Sequence, residues 1–392
     1  MSRARAEIEV FVFLDALGWD LVGEGGWLKD ALPHRRPLEM QFGYSCTAIP
    51  TILSGATPAE HGHLGLFRFA PDASPFKGVA RLMRLLRPAS FWSRGRVRNL
   101  LSKLVKRALG FTGYFQLYQM TADRLGFMDY GEKRNLFVPG GMAPVANLAD
   151  ACAASGVAHH ITDWRAGEAA AFPAAEAALR AGARFLFVYA ADLDAIRHDE
   201  ALDPASPRVA AKLADYRRKL DSLVAALAAT GRPWRLTVFS DHGMTPLAKT
   251  IDLKAAVEKT GLRFGVDYGA CFDSTLLRVT YLKPHARAAI EGALAPFAAD
   301  GHWLTEAEER RYGIFRADRF FGDALFLARP GVQIVPSDMG LKPLNGMHGY
   351  DPAEAHSLAA ILSTDAIPSG VTAVRDVFGL MTAALARLRE GA

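Results

Sequence analysis

The chain has 392 residues, of which half are hydrophobic and 22% are charged, and its formal net charge is +5. This composition excludes a disordered polymer and a small disulfide-rich scaffold, and the length allows one large domain or two ordinary ones. The three cysteines are far apart and form no Cys-x-x-Cys pair, so the sequence supports neither a disulfide framework nor a thiolate zinc site. We expect them to be buried or partly buried thiols.

The first predicted element is a strand near the N-terminus. Basic residues precede its apolar run as they do in a signal peptide, but the acidic residues Glu7, Glu9 and Asp15 interrupt the run. No segment has the roughly 20 apolar residues that are needed to span a bilayer. The sequence therefore predicts a cytoplasmic protein without a signal peptide or a transmembrane segment.

Further strands and helices alternate along the chain. Short apolar runs predict strands at residues 10–14, 185–189 and 236–239, and apolar residues at helical spacing predict helices at 144–156, 209–229 and 371–388. Strands that alternate with helices are typical of an α/β fold. We therefore predict a central, mostly parallel sheet that is sandwiched by helices.

Two stretches interrupt this alternation. Residues 66–140 are rich in arginine, lysine and aromatic residues, and they are interpreted as a basic cap insertion. Residues 251–336 contain a predicted strand at 275–282 and a helix at 284–297, and they are interpreted as a small α/β insertion subdomain. The cations at the centre of the first stretch are Lys77, Arg81, Arg84, Arg87, Arg94, Arg96, Arg98, Lys103, Lys106 and Arg107.

Carboxylates and imidazoles follow the predicted strands. Asp15 ends the first strand, and the pair Asp241 and His242 follows the strand at 236–239. Asp194 and His198 are four residues apart, so they share one face of a helical turn and can bind one metal ion together. Each residue alone is more often a cap or loop residue, but together with His348 in a late glycine-rich loop they predict an oxygen- and nitrogen-rich metal site.

A hydroxyl residue, Ser45, stands before an apolar helical segment. Helix N-termini bind anions through their N–H groups and dipole, so this serine is well placed to meet a phosphoryl group. Without the metal cluster, we would favour the plainer interpretation that Ser45 is only the N-cap of the helix.

These motifs, in this order, resemble the alkaline phosphatase superfamily, and within it the type I phosphodiesterase/nucleotide pyrophosphatase group. The resemblance runs from Asp15 to Asp351 and implies a single catalytic domain over residues 1–392. The motifs that carry it are Asp15, Leu53-Ser-Gly-Ala-Thr-Pro-Ala-Glu-His-Gly62, Asp194 with His198, Ser240-Asp-His-Gly-Met244 and Gly346-Met-His-Gly-Tyr-Asp351.

The resemblance also implies a nucleophile. In the family this residue precedes the glycine of a Thr/Ser-Gly step by ten positions, and counting back from Gly55 gives Ser45. Cys46 would require a slip of one residue, and the Cys-x-Pro-Ser-Arg signature of sulfatases is absent. Thr47 remains a minor rival.

Two divalent metal ions are implied, with zinc favoured and manganese as the alternative. One ion would be held by Asp194, His198 and His348, and the other by Asp15, Asp241, His242 and the Ser45 oxygen. Metal binding would activate Ser45 for attack on phosphorus, and water would then hydrolyse the phospho-serine. His61 and His63 are interpreted as residues that support the site rather than as ligands.

One departure from the family concerns substrate binding. Many members have an asparagine shortly after the His-Gly element, where it touches a phosphate oxygen, but none follows His61 here. Arg68 is our candidate replacement, because a guanidinium suits phosphate oxygens. The absence of the asparagine leaves the choice between diester and monoester open.

The predicted substrate is an anionic phosphate-containing small molecule, or a lipid- or sugar-linked phosphate. The basic insertion is interpreted as a solvated face, as a lid over the substrate, or as a peripheral contact with an anionic membrane, and no nucleic-acid module is present. The alternatives on the same site are hydrolysis of phosphonate or sulfate esters, while a phosphoglycerate mutase is disfavoured because its long intervening domain is not evident. A non-catalytic relative that binds a membrane or a partner is the alternative from a different class.

Overall fold

The computed structural model describes residues 6–86, 89–92, 94–200 and 206–390. Among the basic residues named above, Arg87 lies outside these ranges. In chain order the strands are β1 (Ile8–Leu14), β2 (His34–Leu38), β3 (Phe67–Phe69), β4 (Met128–Tyr130), β5 (His159–Ile161), β6 (Phe185–Ala190), β7 (Trp234–Phe239), β8 (Thr245–Pro246), β9 (Lys249–Ile251), β10 (Tyr268–Phe272), β11 (Leu276–Tyr281), β12 (Gly301–Trp303), β13 (Ala324–Ala328), β14 (Val332–Ile334), β15 (Gly346–Met347) and β16 (Ala359–Ser363). The helices are α1 (Trp19–Val22), α2 (Ser45–Ser54), α3 (Pro58–His61), α4 (Lys77–Leu86), α5 (Ala89–Trp92), α6 (Gly95–Ala108), α7 (Ala122–Leu125), α8 (Leu148–Ser155), α9 (Glu168–Arg180), α10 (Asp192–Asp199), α11 (Pro207–Ala229), α12 (Leu253–Glu258), α13 (Pro284–Leu294), α14 (Glu306–Arg311) and α15 (Asp376–Glu390).

The predicted strands and the long helix α11 are confirmed, but two helices begin later than predicted. Helix α8 begins after Asn147, whose side chain accepts a hydrogen bond from the Asp150 backbone N–H and caps the helix. Helix α15 begins at Asp376, whose carboxylate accepts hydrogen bonds from the backbone N–H groups of Thr372 and Ala373. In both places a local cap, rather than the apolar pattern, decides where the helix starts.

The chain forms two compact units. Unit 1 comprises Met1–Thr57, Leu136–Pro246 and Asp351–Ala392, and unit 2 comprises Pro58–Asn135 and Leu247–Tyr350. Unit 1 contains a six-stranded sheet in the order β2-β16-β7-β1-β6-β5. The strands β7, β1, β6 and β5 are parallel, whereas β16 runs antiparallel to its two neighbours. The prediction of a mostly parallel central sheet is confirmed.

Both faces of this sheet are buried under helices. Successive side chains of a strand point to opposite faces, so Val10 and Val12 of β1 pack in one apolar cluster and Phe11 and Phe13 in another. The first cluster includes side chains of α9 and α11, and the second includes side chains of α2, α8 and α15. Burial on both faces explains why β1 is apolar without interruption from Val10 to Leu14.

Unit 2 is built around a four-stranded antiparallel sheet in the order β10-β11-β13-β12. It also contains the antiparallel pair of β3 with β4 and the parallel pair of β14 with β9. The predicted strand at 275–282 is β11. The predicted helix at 284–297 is α13 followed by a 3-10 turn, because α13 ends at Leu294.

The cysteines and helices bear on two further expectations. Cys46 is partly buried, Cys152 and Cys271 are buried, and all three are free thiols, as predicted. Within the described ranges, no helix is both long enough and apolar enough to cross a membrane.

A buried carboxyl group in unit 2 gives a testable dependence of stability on pH. Burial raises the pKa of Glu132 to about 8, although a hydrogen bond from the Tyr114 backbone and the charge of Lys106 act in the opposite direction. A glutamate in an unfolded chain titrates at about 4.3. Between these values the folded protein holds a proton that the unfolded chain releases, so the free energy of unfolding falls as the pH rises from about 4.3 to about 8.

We therefore expect Glu132→Gln to raise the melting temperature relative to the wild type, and to raise it more at about pH 8 than at about pH 5. Thermal unfolding followed by circular dichroism at both pH values measures the difference. The matched control is Glu24→Gln, because Glu24 is exposed. If the melting temperatures of Glu132→Gln and wild type differ by the same amount at both pH values, the assignment of a neutral Glu132 is refuted.

Candidate active site

Three neighbouring strands of unit 1 deliver acidic side chains to one edge of the sheet. Asp15 follows β1, Asp241 follows β7, and Asp194 lies in the first turn of α10, which begins just after β6. Strand β1 lies between β6 and β7 and is parallel to both. The carboxyl ends of the three strands therefore meet, and this is where ligands bind in open α/β sheets.

Four side chains from this edge and from α2 converge. The Ser45 hydroxyl oxygen lies 3.1 Å from His242 Nε2. The same nitrogen lies 3.5 Å from Asp15 Oδ1 and 3.3 Å from Asp241 Oδ2. Asp15, Asp241 and His242 are all buried, and their possible ligand atoms lie within 4.8 Å of one another. The group has the spacing of a metal site.

In each of the three candidate ligands, the atom that does not face the cluster makes a hydrogen bond that orients the side chain. Tyr189 donates a hydrogen bond of 2.8 Å to Asp15 Oδ2, which leaves Oδ1 directed at the cluster. Asp241 Oδ1 accepts hydrogen bonds from the backbone N–H groups of Ala16 and His242, at 3.1 and 3.0 Å, which leaves Oδ2 directed at the cluster. Such outer contacts fix the geometry of metal ligands before a metal arrives.

The tautomer of His242 follows from its backbone contact. Nδ1 lies 2.7 Å from the Gly243 carbonyl oxygen, which can only accept, so Nδ1 carries the proton. Nε2 is then the nitrogen with the lone pair, and it faces Ser45 and the two carboxylates. Burial lowers the pKa of His242, which favours this neutral form.

Burial and nearby negative charge raise the pKa values of two carboxyl groups in the cluster. Burial, followed by the charges of Asp241 and Asp194, raises the pKa of Asp15 well above its usual range. Burial also raises the pKa of Asp241 to about 7. Negative charge buried at this density requires a compensating cation or protons.

The structure corrects the N-cap interpretation of Ser45. The N-cap of α2 is Tyr44, and Ser45 is the first residue of the helix. Thr47, the minor rival as nucleophile, is fully buried, and its hydroxyl oxygen lies 3.4 Å from the Tyr44 backbone nitrogen, from which it accepts a hydrogen bond. The hydroxyl that faces the carboxylates and His242 is that of Ser45.

The residues predicted for the second metal ion are divided between the two units. In unit 1, Asp194 and His198 lie on one face of α10, with 3.4 Å between Asp194 Oδ1 and His198 Nε2. This is the helical arrangement predicted from their spacing. His348 belongs to unit 2, where it follows β15 and is 4% exposed.

Three residues near the cluster were missed by the sequence analysis. Tyr189 lies inside an apolar strand, where nothing distinguishes it from a core aromatic residue. Arg197 is almost fully buried and donates a hydrogen bond of 2.8 Å to the Ala16 carbonyl oxygen, and it also pairs with Asp20. Ala16, directly after Asp15, has a φ of 59°, a left-handed conformation that is uncommon for alanine. Of these three residues, only Arg197 has a signal in the sequence, which is its position next to the candidate ligand His198.

Comparison with known proteins identifies the family. The family model for type I phosphodiesterase/nucleotide pyrophosphatase matches residues 43–351, well over half of the chain. The chain belongs to this family. Members hydrolyse phosphodiester and pyrophosphate bonds, so this phosphodiesterase family member is a hydrolase that acts on ester bonds. Among curated proteins, no sequence matches it.

Solved structures support the fold of this phosphodiesterase family member. Human ectonucleotide pyrophosphatase/phosphodiesterase 5 is 15% identical, with a TM-score of 0.65, and the match covers 97% of this chain and 95% of that one. The murine protein is 16% identical, with a TM-score of 0.63 and the same coverage. An inactive variant of the murine protein in complex with AMP matches equally well. The predicted alkaline-phosphatase-like fold is therefore confirmed.

Two residues of the Ser240-Asp-His-Gly-Met motif have structural roles in this family member. The Ser240 hydroxyl donates to the Leu17 carbonyl oxygen and accepts from the Ala360 backbone N–H, so it joins the end of β7 to the loop after β1 and to β16. A Cβ atom on Gly243 would lie 2.2 Å from the His356 carbonyl oxygen, so only glycine fits there. These two residues hold Asp241 and His242 in place.

The remaining predicted residues line a cavity of about 210 Å³ within unit 2. Arg68 donates to Asp129 Oδ2 at 3.2 Å, and its guanidinium stacks 3.9 Å from the centre of the Phe320 ring. His61 and His63 line the same cavity, and burial lowers the pKa of His63 to about 4 and that of His61 well below its usual range. The lowered pKa values favour the neutral form of both imidazoles. The substrate contact of Arg68 stays a prediction.

Proposed function

We propose that this chain is a two-metal hydrolase that cleaves phosphate diesters or pyrophosphate bonds through a phospho-serine at Ser45. The observation that supports this most strongly is the convergence of the Ser45 hydroxyl with Asp15, Asp241 and His242 at the strand ends of a phosphodiesterase-family chain. A nucleophile next to an oxygen- and nitrogen-rich ligand group suits metal-assisted phosphoryl transfer.

The residues present fit a divalent cation. Within the described part of the chain, Asp15 Oδ1 and Asp241 Oδ2 are buried and make no hydrogen bond. The third atom of the group, His242 Nε2, carries a lone pair rather than a proton. Three buried lone-pair atoms that face one another repel unless a cation or a proton lies between them, and two carboxylate oxygens and one imidazole nitrogen are common zinc ligands.

We propose the ligand sets that the resemblance implies. Asp15, Asp241, His242 and the Ser45 oxygen would hold one ion. The second ion would be held by Asp194, His198 and His348. Zinc is the favoured metal because histidines contribute to both sets, and manganese is the alternative because carboxylates do as well.

The protein's own groups prepare the displacement. The bound ions would stabilise charge on the phosphoryl oxygens and lower the pKa values of the serine hydroxyl and of an attacking water. Ser45 is held at the N-terminal end of α2, where the first N–H groups of a helix lack intrahelical partners and favour an anion. The Ser45 oxygen would form a bond to phosphorus as the bond to the leaving oxygen breaks, and water would later cleave the phospho-serine.

The substrate class follows from the family and from a bound ligand in a relative. The inactive variant of the murine protein is in complex with AMP, a nucleoside monophosphate. For this chain we propose an anionic phosphate-containing small molecule, with nucleotide esters as the first candidates and lipid- or sugar-linked phosphates as the alternatives. A cytoplasmic location stays a prediction.

The test is metal content combined with hydrolysis of bis(p-nitrophenyl) phosphate and p-nitrophenyl phosphate by the purified protein. We expect about two zinc ions per chain and faster turnover of the diester. Removal of metal by a chelator should abolish turnover, and added zinc should restore it. Turnover that survives complete metal removal would overturn the proposal, and a protein with neither metal nor turnover would point to the non-catalytic alternative.

A further inference from the structure

Two helices of unit 2 expose leucines to solvent. Leu82 and Leu85 of α4 are 55% and 77% exposed, and Leu100 and Leu104 of α6 are 61% and 57% exposed. The members of each pair are three or four residues apart, so each pair lies on one face of its helix. Single exposed leucines are ordinary, but a pair of exposed leucines on one face of a helix presents more apolar surface than scattered single residues do.

The leucines are not needed to hold either helix in place. Helix α4 packs inward through Ala80 and Met83, which are buried. Helix α6 is anchored through Ser102, which accepts a hydrogen bond from the Leu117 backbone N–H at 3.0 Å, and through the buried Val105. The outward leucines therefore add nothing to the packing of unit 2 that would explain their presence.

The segment that carries these leucines is strongly basic. No acidic residue occurs from position 73 to position 122, whereas ten lysines and arginines do. Those that are described and exposed are Lys77, Arg81, Arg84, Arg94, Arg96, Lys103 and Arg107. Arg81 and Arg84 directly precede Leu82 and Leu85 in sequence, so each exposed leucine of α4 has an exposed arginine next to it along the helix.

We propose that α4 and α6 dock this protein onto the surface of an anionic lipid bilayer. The leucines would enter the boundary between headgroups and acyl chains, and the long basic side chains would reach the lipid phosphates while their stems lie along the apolar layer. Nucleic acid would use the cations but not the leucines. An acidic protein partner would use both, but it would not carry the protein to vesicles of pure lipid.

The test is co-flotation of the full-length protein with vesicles. One vesicle preparation contains phosphatidylcholine with about 30% phosphatidylglycerol, and the other contains phosphatidylcholine alone. The variant Leu82→Ser/Leu85→Ser/Leu100→Ser/Leu104→Ser removes the proposed contact. The matched control is Leu282→Ser/Leu341→Ser, because these two leucines are 38% and 54% exposed elsewhere in unit 2.

We expect wild type and control to float with the anionic vesicles only, and the fourfold variant to bind at least about tenfold more weakly. Circular dichroism, melting temperature and hydrolysis of a water-soluble ester should be unchanged in the variant, which shows that it is folded. Binding that is equally strong in the fourfold variant, or no flotation of the wild type, would overturn the proposal. Self-association of the wild type that the fourfold variant lacks, without flotation, would also overturn it, in favour of a second copy of the chain.

Discussion

Replacement of Ser45 by alanine is expected to lower the turnover of bis(p-nitrophenyl) phosphate by about 10⁴-fold, because the proposed nucleophile is removed. Metal content should change little, since the three other proposed ligands of the same ion remain. The wild type, quenched with acid during turnover, should yield a peptide that carries phosphate on Ser45, and the variant should not. Mass spectrometry of the quenched samples measures this directly.

The matched control is Thr47→Val, which removes the hydroxyl of the rival nucleophile and keeps the shape of the side chain. We expect it to lower stability by about 1 kcal/mol, because the hydrogen bond between Tyr44 and Thr47 at the start of α2 is lost. Its turnover should stay within a few-fold of wild type. The opposite pattern, in which Thr47→Val is inactive and Ser45→Ala is active, would move the nucleophile to Thr47.

The elements of unit 1 that carry the candidate site were predictable because each one has a physical reason to appear in sequence. β1 is buried on both faces, so its residues 10–14 are all apolar, and Asp15 follows them directly. Asp194 and His198 share a helical face because the residues between them complete one turn. Local sequence features therefore predict where these strands end and how the candidate ligands are spaced.

The contacts that orient the ligands were not predictable, because they depend on distant parts of the chain. The hydroxyl of Tyr189 reaches Asp15, and Arg197 reaches the carbonyl of Ala16, across separations of 174 and 181 residues. A tyrosine in an apolar strand and an arginine in an amphipathic helix have no local feature that reveals such roles. The exposure of the leucines on α4 and α6 was not predictable either, because the apolar pattern of a helix does not show which of its apolar residues have a packing partner.

Asp241→Asn is expected to change stability in opposite directions with and without metal. Asparagine Oδ1 can keep the hydrogen bonds from the Ala16 and His242 backbone N–H groups. Its Nδ2 replaces an oxygen that lies 3.3 Å from His242 Nε2, so a repulsive contact becomes a hydrogen bond. The metal-free variant should therefore melt about 2 to 4 °C above the metal-free wild type.

The same change removes one of the proposed charged ligands, so zinc affinity should fall by at least about 10²-fold, and turnover should fall with it. The stabilisation that zinc gives the wild type should be lost in the variant, since a ligand stabilises only the state that binds it. Melting temperatures with and without zinc, together with zinc titration by calorimetry, measure both effects.

The matched control is Asp338→Asn, which alters an equally buried carboxylate in unit 2 that is already neutralised by Arg124 at 2.7 Å. This substitution leaves a buried guanidinium without its counter-charge, so stability should fall by about 3 kcal/mol, both with and without zinc. The melting temperature of Asp338→Asn should rise on zinc addition by as much as that of the wild type. If the metal-free stability rises in Asp241→Asn and falls in Asp338→Asn, the cluster at the strand ends needs a cation to neutralise its charge. A full zinc-dependent shift in Asp241→Asn would show instead that Asp241 is not a ligand.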